Sequence, residues 1–77
     1  MNRHHEEVLE ILKGRDWMTG QELRAALNRG KWFWNRWSHA GFYNLTYAMI
    51  EAGLIDGRCE HRVIDGEGCL VYLFKAV

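Results

Sequence analysis

The chain is expected to fold as one α+β domain, three helices followed by a two-stranded hairpin. Three observations predict this. Apolar residues recur at helical spacing in three stretches before Gly53, the pattern switches to period two from Ile55 onward, and Asp65-Gly-Glu-Gly68 interrupts that last part with a hairpin turn. No linker or composition break divides residues 1–77, so a single domain is expected. A chain of this length buries only about 60–65% of its unfolded surface, so it needs a well-packed core or a second copy of itself.

Asn2 can cap a first helix, in which Val8, Leu9, Ile11 and Leu12 form the apolar face and Gly14 supplies the stop. Asp16 to Met18 is a short extended piece. Thr19-Gly-Gln-Glu22 is a capping box, in which hydroxyl and carboxylate satisfy each other's backbone donors, and it opens a second helix running to about Asn28. Leu23, Ala26 and Leu27 face inward there and Arg24 outward. The next stretch, RGKWFWNRW from Arg29 to Trp37, is too long for a tight turn. A third helix starts near Ser38 or Gly41, buries Phe42, Leu45, Met49 and Ile50, and ends at Gly53-Leu54. Its other face carries Ala40, Tyr43, Asn44, Tyr47, Ala48 and Glu51. Strands are expected over Arg58–Ile64 and Cys69–Lys75, with Ile64 opposite Cys69 and Arg62 opposite Val71; Cys59 then lies near Phe74 and away from Cys69. Both cysteines are expected to be reduced.

Formal net charge is zero, but the charges are segregated. No Asp or Glu occurs from Leu23 through Ile50, a window holding Arg24, Arg29, Lys31 and Arg36 as well as His39. The window is therefore +4, and the six bases and ten acids outside it make the remainder −4. Within a Debye length of about 8 Å only the local potential matters, so a neutral chain can present one positive face. The first residues, MNRHHEEVLEILK, are charged throughout, and no stretch approaches the ~18 apolar residues of a membrane span. A cytoplasmic protein without membrane contact is expected.

Helix, short strand, helix, turn, helix and hairpin is the order of winged-helix domains, in which the hairpin forms the wing. The segment FYNLTYAMIEAGLI, Phe42 to Ile55, resembles the recognition helix and exit of bacterial PadR-like and MarR-like winged-helix regulators. A looser similarity runs from the TGQEL of the second helix to the VYLF of the last strand. The resemblance implies a bacterial or phage transcriptional regulator or accessory factor that binds double-stranded DNA through the third helix, as a monomer or a homodimer.

On that helix Asn44 has the chemistry for a bidentate contact to adenine, with Tyr43 and Tyr47 as further base contacts. Arg24, Arg29, Lys31, Arg36, Ser38 and His39 are candidate phosphate contacts. The alternative for either set is a solvated surface, but such surfaces usually mix charge signs, so the acid-free window favours contact with DNA. Trp32, Phe33, Trp34 and Trp37 can brace the turn as core. Three consecutive residues cannot all face inward, so an exposed indole there could stack on nucleic acid or dock a protein partner; Trp32, Trp34 and Trp37 are the candidates. A winged-helix protein-interaction module is thus the alternative function. The wing tip carries Asp65 and Glu67, which phosphate would repel.

No metal site is expected, because Cys59, His61, Cys69 and the His4-His5 pair lack the paired spacing of closed zinc sites. Ser38, His39 and Asp56 come without a nucleophile elbow or oxyanion loop, and Gly66 and Gly68 do not precede a helix. Neither an enzyme activity nor a cofactor is expected.

Overall fold

The computed structural model describes residues 3–77, apart from the side chain of Phe33. It is a small α+β fold with elements in the order α1 (Arg3–Leu12), β1 (Met18–Thr19), α2 (Gly20–Asn28), a 3-10 turn (Phe33–Asn35), α3 (His39–Glu51), β2 (Ile55–Ile64) and β3 (Glu67–Ala76). The expected Asn2 cap of α1 lies outside the described residues. The three strands form one antiparallel sheet in the order β1-β3-β2, so the two-residue β1 pairs with the far side of the hairpin through Met18–Phe74 and Thr19–Leu73.

The core sits where the helices meet the inner face of this sheet. Val8 and Leu12 from α1, Leu23 and Leu27 from α2, Phe42 and Met49 from α3, and Met18, Ile55 and Phe74 from the sheet form its buried cluster. Phe42 and Phe74 meet edge to face at 6.0 Å, the favoured geometry for an aromatic pair. On α3 the expected inward set was partly different. Ile50 is 38% exposed and lies over Gly57, and Thr46 takes the buried position. A threonine is tolerated there because its hydroxyl donates to the Tyr43 carbonyl at 3.1 Å, leaving no unsatisfied polar group.

The helix ends follow from their capping chemistry. Thr19 accepts from the Glu22 N–H at 3.1 Å, as a capping residue should. The reciprocal half of the capping box is different: the Glu22 carboxylate accepts the Thr19 hydroxyl at 2.9 Å instead of its backbone N–H. Thr19 is also the last residue of β1, which ties its backbone to the sheet. Ser38 caps α3 by accepting from the Gly41 N–H, which places the start at the earlier of the two expected positions. At the other end Gly53 adopts φ +75°, donating to Ile50 while Leu54 donates to Met49. That pair of bonds is the Schellman motif, and its left-handed residue favours glycine.

The hairpin register differs from expectation by two residues. Ile64 pairs with Glu67, Arg62 with Cys69 and Cys59 with Tyr72; β2 starts earlier than expected and ends at Ile64 as expected, and β3 is longer at both ends. The loop is Asp65-Gly66 alone, with φ of 52° and 81°, the doubly left-handed geometry that an Asp-Gly pair favours. A shift of two leaves every side chain on its expected face, because strand side chains alternate with period two. Cys59 and Cys69 remain apart and unbonded.

Candidate nucleic-acid interface

The connection between α2 and α3 is built around one amide. At the end of α2, Arg29 leaves helical geometry and Gly30 takes φ +76°, turning the chain away from the helix axis. Asn28 then holds the far end of the connection. Its Oδ1 accepts the Trp37 N–H at 2.6 Å and its Nδ2 donates to the Trp37 carbonyl at 3.2 Å. Between these anchors the Asn35 N–H donates to the Trp32 carbonyl, closing the 3-10 turn.

This geometry separates the tryptophans. Trp37 packs against the core, with the His4 ring edge-on at 5.0 Å and the Lys31 ammonium 5.9 Å from its centroid. Trp32 and Trp34 stand outside, 68% and 66% exposed, with rings parallel within 3° and centroids 5.4 Å apart. Of the expected partner surface, therefore, Trp37 braces the turn and the other two form an exposed stacked pair.

The basic residues separate as well. Lys31 is half-buried and bonded to Glu7 of α1, Nζ to Oε2 at 3.2 Å, so its charge is partly neutralised within the fold. Arg36 is exposed and bends back across the turn, its Nε donating to the Lys31 carbonyl at 3.3 Å. Arg24, Arg29 and Arg36 line one open surface cleft with Gln21, Asn28 and Trp37. No carboxylate contributes to that lining. With three arginines and no acid in its lining the cleft favours an anion, although Arg29 also lines a neighbouring cleft with Glu6, Glu7 and Glu10.

A second cleft adjoins the first through Gln21 and Arg24 and runs between α2, the start of α3 and the hairpin. His39 and Tyr43 line it with Leu70 and Tyr72. Tyr43 is half-buried: its ring lies 4.6 Å from His39 and 5.2 Å from Tyr72, and its hydroxyl occupies the space that a side chain at Gly20 would need. Burial, then the neighbouring Tyr72, push its phenol above the ordinary value, and Arg24 acts in the opposite sense. Tyr43 is thus a packing residue whose edge faces the cleft. Asn44 and Tyr47 are exposed on α3, and Tyr47 is held above its ordinary pKa by a hydrogen bond to Glu51 and then by that carboxylate's charge. Ser38 is exposed but its oxygen serves the cap.

The hairpin extends beyond the helices. Val63 and Leu70 are exposed on its helix-facing side, Arg62 pairs with Glu60 at 2.8 Å, and Asp65 and Glu67 stand at the tip. The register puts Cys59 and Cys69 on opposite faces, and among the described residues no three His, Cys, Asp or Glu side chains converge as metal ligands. No helix among those residues is long and apolar enough to cross a membrane.

Asn28, Gln21 and Glu7 belong to this region without having stood out in the sequence. Asn28 looked like an ordinary polar helix end; its partner is nine residues away. Glu7 has one legible feature, helical spacing from Arg3, but nothing local relates it to Lys31. Compared with known proteins, the chain matches no family model, no curated protein and no solved structure.

Proposed function

We propose that the chain is a small winged-helix DNA-binding protein of the kind its FYNLTYAMIEAGLI segment resembles, a bacterial or phage regulator or accessory factor. The observation that carries this reading is the arginine cleft: Arg24, Arg29 and Arg36 converge with no acid among them, in a chain of zero net charge. The sheet order β1-β3-β2, with a long hairpin beyond three helices, supports the winged-helix part. Duplex phosphates would lie along the cleft, and the first turn of α3, which carries no acid, would approach the major groove beside it. Asn44 and Tyr47 are the exposed side chains from which base contacts would come, with His39 at the groove edge. Lys31, already paired with Glu7, would contribute less than the three arginines.

Reversing two charges tests the reading. The double substitution Arg29→Glu and Arg36→Glu, both at exposed positions, should abolish retention of a 20-base-pair duplex in a mobility-shift assay while leaving the circular dichroism spectrum unchanged. Retention at wild-type affinity would reject it.

The second reading, a protein-interaction module, is favoured by the exposed Trp32–Trp34 pair, since tryptophan and arginine dominate interface hot spots. The acidic hairpin tip also favours it. Under that reading the charge reversal would leave any duplex affinity unaltered.

A further inference from the structure

Trp32 and Trp34 present more indole surface than a DNA-phosphate clamp needs, and a paired duplex offers them little. Bases inside a duplex are stacked on each other, so their faces are closed to an outside ring. Away from the duplex ends, an indole face can receive only a base that is unpaired or has left the stack. The two rings here are parallel, about two-thirds exposed and held on a short 3-10 turn, an arrangement that presents a flat face without ordering a flexible chain. One cation of the same turn is restrained by a hydrogen bond. Arg36, hydrogen-bonded to the carbonyl of the residue preceding Trp32, also lines the arginine cleft. Aromatic face and arginine charge therefore share one turn, which contributes no acid of its own from Leu23 through Ile50, and the Glu7 carboxylate that reaches it from α1 is paired with Lys31.

We propose that the Trp32–Trp34 pair is a stacking platform for an unpaired DNA base at a duplex end or junction, with Arg36 and Arg29 holding the adjoining phosphates. This rests on the DNA-binding reading and sharpens it: the preferred ligand is a duplex that continues into a single-stranded extension. The helix-facing end of the protein would hold the paired part through the cleft, and the turn would take the first unpaired base.

The test compares a blunt 20-base-pair duplex with the same duplex carrying a three-nucleotide thymine extension on either strand, using tryptophan fluorescence and fluorescence anisotropy at low salt. The expected results are quenching of indole emission by an extended duplex, and an affinity about five- to a hundredfold above that of the blunt duplex. The double variant Trp32→Ala and Trp34→Ala should lose that preference and keep its blunt-duplex affinity. Both rings are exposed, so its fold should survive, as a thermal melt would check; each single Ala variant supplies the same comparison if the double variant unfolds, whereas Trp32→Phe with Trp34→Phe should keep part of the preference because a phenyl face also stacks. Equal affinity for blunt and extended duplexes, with binding intact, would overturn the platform and leave the DNA-binding reading standing. Failure of all duplexes to bind would overturn both and turn attention to a protein surface at these tryptophans.

Discussion

The side-chain amide of Asn28 takes hold of Trp37 from both sides, accepting its N–H and donating to its carbonyl. Two hydrogen bonds from one side chain fix where the connection ends, and hence where Ser38 can begin α3. Asn28→Ala should therefore cost about 1–3 kcal/mol, because the half-buried backbone of Trp37 would lose both partners. Urea unfolding monitored by tryptophan fluorescence measures this, and an unchanged midpoint would mean that packing alone holds the turn. The effect should reach function, because Arg29 and Arg36 flank the segment that Asn28 anchors. At this scale little was legible beforehand. The sequence contained the four aromatics of the turn, but which indole packs and which stands exposed depends on a bond between residues nine apart. Tyr43 shows the same limit: at helical spacing it looked like a solvated groove residue, and the sheet behind it turned it into a packing residue.

Elements were more legible than residues because their signals are local. Thr19, Ser38 and Gly53-Leu54 mark helix ends through bonds within a few positions, and each falls where expected. The hairpin register lies two residues from the expectation because Asp65-Gly66 alone suffices to reverse the chain, so Glu67 and Gly68 join the strand instead of the turn. The contacts between elements carried no such local mark. Glu7 and Lys31 join α1 to the turn across 24 positions of sequence, and under the DNA-binding proposal this ion pair restrains a charge that would otherwise face phosphate. Glu7→Gln should release it. The expected outcome is a salt dependence of duplex binding steeper by about 0.9 in log–log slope, one added phosphate contact, with a stability change of no more than about 1 kcal/mol for a partly exposed pair. An unaltered slope in the variant would place Lys31 outside the interface.

Across the whole molecule the dominant feature is segregated charge. Ten acids balance ten bases, yet the fold gathers Arg24, Arg29 and Arg36 around one cleft and leaves Asp65 and Glu67 at the hairpin tip. Segregation was legible in the sequence as an acid-free window; convergence was not, since it depends on how α2 and the turn fold against each other. Binding that depends on those arginines releases counterions, and counterion release has a distinct signature. The most direct measurement is therefore the affinity for a blunt duplex titrated against salt, for the wild type and for Arg36→Ala. Three arginine contacts predict a log–log slope of about −2.7, flattened by about 0.9 in the variant. No measurable affinity at low salt, or a slope that Arg36→Ala leaves unchanged, would contradict the assignment of the arginine cleft to DNA.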